Sequence, residues 1–169
     1  MVDILGADHM DAYPDVLAGI EQLGFNTNKV KVLIHQFVTL MEKGEPVKMS
    51  TRKAQYITLD DLIDEVGQDV VRYFFLMRGM NTHLNFDLEL AKNESDENPV
   101  YYLQYAHARL CNILKHAASL GHKFDNKTNL SDLTLDSEIL LIKSLLEFPN
   151  VVEKAHDNLE PQTIANYLQ

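Results

Sequence analysis

An α/β segment followed by a mainly α-helical bundle is the fold class this 169-residue sequence predicts. Three observations lead there. Short β-branched runs occur only before about residue 57. Helix caps and helical apolar spacing dominate after it, and nothing from residue 58 onward reads as a sheet. A hydrophobic content of 46% is that of a folded globular chain, long enough for one compact domain or two small ones.

The elements follow in order. "VDIL" at 2–5 is a short apolar run closed by Gly6, and Tyr13, Val16, Leu17, Ile20 and Leu23 then recur at helical spacing before Gly24. This is strand, loop, helix. "KVKVLIHQFVTL" at 29–40 reads as one strand, with "EKGE" as a turn and "PVKM" as a short returning strand. Thr58 with Asp61 three residues on forms a capping-box pattern, and Leu59, Leu62, Ile63 and Val66 make a stripe that stops at Gly67. A second helix is predicted from Asp69 to about Arg78, with Val70, Val71, Phe74 and Phe75 facing a core. The acidic stretch "FDLELAKNESDENP" at 86–99 reads as a domain connection. Asn98 and Pro99 are an N-cap and first-turn pair that open a long helix, with Val100, Leu103, His107, Leu110 and Leu114 on one face. Two helices are expected over roughly 135–157, broken near Pro149, and another starts at Pro161.

Composition excludes several function classes. The net charge of −10 argues against general affinity for nucleic acid, because phosphate binding is driven by Lys and Arg. Any such contact must be local. One cysteine, Cys111, cannot close an internal disulfide, and no apolar run nears the roughly 20 residues that cross a bilayer. "MVDILGADHM" lacks the features of a secretory signal, so a cytoplasmic setting is expected. His107 and Cys111 stand one helical turn apart, but no further ligands complete a metal site.

The chemistry-bearing stretch is "GEPVKMSTRKAQYITL" at 44–59. Lys48, Ser50, Thr51, Arg52 and Lys53 offer cationic and hydroxyl donors that could wrap a polyphosphate through charge-assisted hydrogen bonds. A solvated hairpin is the alternative. Gly6, Asp8 and His9 follow the first strand at its carboxyl end, where open α/β sheets bind ligands, while Asp8 reads equally as a helix-start residue. Tyrosines such as Tyr101, Tyr102 and Tyr105 on a helix more often pack than stack on bases.

"VKMSTRKAQYITLDDLIDEVGQDVVRYFFLM" resembles the signature loop of class I aminoacyl-tRNA synthetases, usually written KMSKS, with the helical connection that follows it. "GADHM" before it, "FDLELA" after it and above all "NPVYYLQYAHARLCNIL" resemble, in this order, the arginyl-tRNA synthetases over nearly the whole chain. The resemblance implies that residues 1–57 are the C-terminal part of a Rossmann-type nucleotide-binding catalytic domain. It further implies that 58–96 are a helical connection and that 97–169 are part of a helical anticodon-binding domain. The implied reaction is activation of arginine by ATP, with Mg2+, and transfer to arginine tRNA. Lys48 and Ser50, then Arg52, are the implied catalytic residues of the loop. Gly6, Asp8, His9, Met49 and Lys53 are implied at the ATP and amino-acid pocket, and Tyr105 and Arg109 at the tRNA. The loop departs from KMSKS: Thr51 stands at the second lysine and Arg52 at the last serine. Nothing resembles the family's HIGH motif, so this stretch is expected to be inactive by itself. Another class I synthetase would share the loop but lack the Asn98–Arg109 run, and a non-catalytic interaction module would lack a HIGH motif upstream in its open reading frame.

Overall fold

The computed structural model describes residues 1–48, 56–123, 125, 127 and 129–169. The chain forms two compact units, Met1–Lys92 and Asn93–Gln169. Strand β1 (Val2–Gly6) leads through a 3-10 turn (Ala7–His9) into helix α1 (Tyr13–Gln22), and β2 (Lys31–His35) returns parallel to β1. Joining parallel strands needs such a crossover.

The predicted strand over 29–40 is in fact two. β2 ends at His35 and β3 (Val38–Glu42) begins after Gln36 and Phe37, in a different sheet. The break has a cause in hydrogen bonding: Gln36 donates its N–H to the Met80 carbonyl at 2.9 Å, and Phe37 accepts from Leu84 at 3.3 Å. Those bonds redirect the chain toward a strand the sequence reading did not expect, β5 (Leu84–Asp87), which pairs parallel with β3 from Val38↔Leu84 to Met41↔Asp87. The returning strand, β4, is short (Glu45–Pro46) and antiparallel to β3, so the sheet order is β4-β3-β5.

Between β4 and β5 the chain makes α2 (Leu59–Val66) and α3 (Gln68–Leu76). The predicted capping box is present: the Thr58 hydroxyl accepts from the Asp61 N–H at 3.1 Å, and the Asp61 carboxylate accepts from the Thr58 N–H at 2.9 Å. Gly67 separates the two helices at φ 88°, a conformation that a side chain would strain. The core beside this sheet is Leu40, Leu62, Val71, Phe74, Leu84 and Phe86, with Phe74 and Phe86 ring centroids 5.1 Å apart. The front of the acidic stretch is therefore core and not connection. Phe86 is fully buried, and Leu88 and Ala91 of α4 (Leu88–Lys92) are buried too. Asp87 caps α4 by accepting from Glu89 and Leu90, and Lys92 reaches Glu65 of α2 at 2.6 Å.

The second unit holds α5 (Pro99–Ser119), α6 (Asp136–Asn158) and α7 (Gln162–Tyr167). Asn98 caps α5 by accepting from Val100 at 3.0 Å, and its amide donates to the Asn93 carbonyl at 2.9 Å. The predicted packing face of α5 is covered only in part: Val100 is buried, whereas Leu110 and Leu114 are exposed. The break expected near Pro149 does not occur. Pro149 lies inside a continuous α6, which forgoes one backbone hydrogen bond there and keeps the rest. Phe148 packs against Tyr167 at 5.3 Å, and the Tyr167 hydroxyl donates to the Ser144 carbonyl at 2.8 Å, which clamps α7 to α6. Among the described residues no helix is long and apolar enough to cross a membrane.

Candidate functional site

The carboxyl end of β1 gathers three of the expected residues. Gly6 is the last residue of the strand, and Asp8 and His9 occupy the 3-10 turn that leaves it. A Cβ at Gly6 would lie 2.5 Å from Asp8 Oδ1, so the carboxylate has folded back over the bare strand end and would swing away from any side chain placed there. Asp8 Oδ2 stands 3.7 Å from His9 Nε2, and both side chains are exposed. His9 also borders a cavity of about 300 Å³ between α1 and the β1–β2 pair, lined largely by apolar groups including Leu5, Val16 and Leu17. An exposed carboxylate and an imidazole at a strand end, beside an apolar cleft, can hold a ligand with hydrogen-bond donors and a flat apolar part.

Lys48 lies on another part of the same unit. It is exposed and follows Val47, whose N–H donates to the Leu40 carbonyl at 2.8 Å, so the β3–β4 hairpin carries it. Met49, Ser50, Thr51, Arg52 and Lys53 lie outside the described residues.

In the second unit Tyr105 and Arg109 are neighbours one turn apart on α5. The guanidinium sits 5.6 Å from the Tyr105 ring centroid and donates to its hydroxyl at 3.3 Å. Tyr101, Tyr102, Tyr105 and Asp96 line a cleft of about 360 Å³, and the three tyrosines keep roughly half their surface exposed. An exposed guanidinium beside half-exposed rings has the chemistry to take a phosphate and a flat partner. Cys111 Sγ lies 3.6 Å from His107 Nε2, an ordinary thiol–imidazole contact. Among the described residues no group of three or more His, Cys, Asp or Glu is gathered around a metal-sized space.

One residue of the β1–β2 edge escaped the sequence reading. His35 is the carboxyl-terminal residue of β2 and faces Gly6 in the register. A strand expected to run to residue 40 hid its position at a strand end. Gln36, a polar residue between apolar strand segments, was the available signal.

The model of the DALR anticodon binding domain matches residues 103–169. An arginine–tRNA ligase of Salinibacter ruber is 56% identical over 169 residues, which is all of this chain and 30% of that protein. Another, from Chlorobaculum tepidum, is 51% identical over 99% of this chain and 31% of its own length. A crystal structure from Campylobacter jejuni, described as an arginyl tRNA synthetase, superposes with a TM-score of 0.83 at 37% identity, covering 99% of this chain and 36% of that one. The chain thus spans about a third of the length of the curated relatives it matches. Along its whole length, at this identity, the chain is similar to one segment of the arginine–tRNA ligases.

Proposed function

We propose that the protein carrying this segment ligates arginine to its tRNA in two steps. In the first, a carboxylate oxygen of arginine forms a bond to the α-phosphorus of ATP as the bond to pyrophosphate breaks. In the second, a hydroxyl of the terminal adenosine of the tRNA attacks the arginyl carbonyl and AMP leaves. The observation that carries this reading is the likeness to arginine–tRNA ligases along the whole chain.

In this reading β1, α1 and β2 are a remnant of a Rossmann-type nucleotide-binding domain. Gly6, Asp8 and His9 then border the ATP and amino-acid pocket, since parallel sheets bind ligands beyond their carboxyl ends. Lys48, Ser50 and Arg52, with Met49 and Lys53 beside them, supply donors and positive charge to the triphosphate. Catalysis of this kind needs little covalent participation by protein. It needs reactants held in line and charge stabilised on the leaving pyrophosphate. Mg2+ would accompany the ATP phosphates. Such an ion is bound mainly through substrate oxygens and water, and no step is assigned to it. Tyr105 and Arg109 contact arginine tRNA, and the reaction belongs to the cytoplasm.

The test is arginine-dependent ATP–pyrophosphate exchange, with tRNA present, on the full-length protein. Exchange is expected, and Lys48→Ala is expected to lower its rate by about tenfold or more, the scale of removing one charge-stabilising donor. A full-length protein without arginine-dependent exchange would overturn the reading.

A further inference from the structure

The cleft at the start of α5 holds a carboxylate to which nothing above gives a task. Asp96, Tyr101, Tyr102 and Tyr105 line its roughly 360 Å³, all within the second unit. Tyr105 lies three residues from Tyr102 and four from Tyr101, the spacings that bring side chains together on a helix surface. Three phenol rings thus border one space. Among the described residues no hydrogen bond or ion pair reaches the Asp96 side chain or the hydroxyls of Tyr101 and Tyr102, which are left to water.

The sign of a ligand for this cleft follows from its donors and charges. A helix N-terminus attracts anions through free N–H groups, but this one has none to offer. Pro99 lacks the group, Val100 and Tyr101 donate to the Asn98 side chain at 3.0 and 3.5 Å, and Tyr102 donates to the Asn98 carbonyl at 3.0 Å. Glu94 and Glu97 add negative charge to the segment that carries Asp96. A nucleobase could stack on the rings, yet it would bring its phosphates toward three carboxylates. A cation meets the opposite conditions, because tyrosine faces and a carboxylate both attract it. Guanidinium suits the cleft best: it is planar, weakly hydrated, stacks on aromatic rings and donates two parallel N–H bonds to a carboxylate. Tyr105 already takes one such group, since the Arg109 guanidinium lies 5.6 Å from its ring centroid and donates to its hydroxyl.

We propose that this cleft is a cation site: it takes a guanidinium group, stacked on the tyrosine rings and hydrogen-bonded to Asp96, from free arginine or from an arginyl side chain of a protein segment. The site is independent of the ligase reading and would stand without it.

The test titrates the full-length protein with arginine blocked at both ends (N-acetylarginine N-methylamide), and binding is read from the NMR relaxation of the probe. Transfer RNA is left out, because Tyr105 serves both proposals. Only binding that is lost in Asp96→Asn counts toward this site, which sets aside any other arginine site of the protein. Asp96→Asn is expected to weaken that binding about tenfold, the value of losing a charge-assisted hydrogen bond, and Asp96→Glu to restore part of it. Tyr102→Phe keeps the ring and should change little, whereas Tyr102→Leu should weaken binding severalfold. The neutral isostere, N-acetylcitrulline N-methylamide, should bind about tenfold more weakly. Free arginine run in parallel identifies the source: equal affinity supports the amino acid, and a preference for the blocked form supports a side chain. The proposal is overturned if Asp96→Asn leaves binding unchanged, if the citrulline probe binds equally, or if Tyr102→Leu has no effect. Guanosine monophosphate binding more tightly than blocked arginine, and lost in Asp96→Asn, would overturn it in favour of a base site. All of the substituted side chains are exposed, and thermal midpoints equal to the wild type's confirm that each variant is folded.

Discussion

Single residues carry more of this fold's logic than their exposure suggests. At Gly6 the absent side chain is what allows Asp8 to lie over the strand end, so one carboxylate is aimed by the lack of one methyl. Thr58 and Asp61 show the same economy at the start of α2. The Thr58 hydroxyl donates to Asp61 Oδ2 at 2.6 Å, and with the Thr58 N–H bond it holds the Asp61 carboxyl below the ordinary carboxylate range. A lowered folded pKa means that the charged form is the stabilised one. This contribution is complete above the unfolded pKa of about 3.9 and fades as pH falls through the lower folded value. Thermal midpoints taken between about pH 6 and about pH 3 check it: the acid-side fall is expected to be smaller in Asp61→Asn than in the wild type, with Thr58→Ala between them. Equal falls in all three proteins would show that the cap does not favour the ionised carboxyl.

Elements were legible where local chemistry alone decides them and illegible where a distant partner does. The caps at Thr58 and Asn98 and the stop at Gly67 were readable because each acts within a few residues of itself. The end of β2 was not, since it is set by hydrogen bonds that Gln36 donates to Met80 and Phe37 accepts from Leu84, more than forty residues on. β5 offered only four residues, in which Leu84 and Phe86 alternate with Asn85 and Asp87. That is a period of two, but Asn and Asp are poor strand formers, and the acidic run after them resembled a connector. Pro149 misled in the opposite direction. A buried seam that includes Ala155 and Ala165, with the Tyr167 hydroxyl bond, outweighs one missing backbone bond. The buried side chain of the unexpected strand gives the sharpest check on this packing. Phe86 is fully enclosed and contacts both Phe74 and Phe75. Phe86→Ala is expected to cost about 3–5 kcal/mol, read as a lower denaturant midpoint with little change in slope. A cost under about 1 kcal/mol would mean that β5 is not held as described.

At the scale of the whole molecule, the distribution of charge matters more than its sum. A chain of net charge −10 should repel a polyanion, yet from Asn98 to Phe124 the sequence has no Asp or Glu, and it holds Arg109, Lys115 and Lys123 there with three histidines. The acidic residues lie outside that stretch, so α5 presents a locally cationic and aromatic surface on an otherwise acidic protein. Much of the candidate site was legible in the sequence for this reason: residue type and order carried it, as with Tyr105 and Arg109 one helical turn apart. The place of His35 at a strand end opposite Gly6 was not legible, because it depends on which residue faces it across a sheet. If α5 meets the backbone of tRNA, Arg109 should behave as a phosphate ligand whose aim is set by Tyr105. Arg109→Ala in the full-length protein is then expected to weaken tRNA binding about evenly across sequence variants of the tRNA. The slope of log affinity against log salt should fall by about one, because one fewer counterion is released. Arg109→Lys keeps the charge but loses the planar guanidinium over the ring, so it should preserve the slope while recovering only part of the affinity. Filter-binding titrations at several salt concentrations distinguish these outcomes, and a slope untouched by Arg109→Ala would remove Arg109 from the tRNA interface.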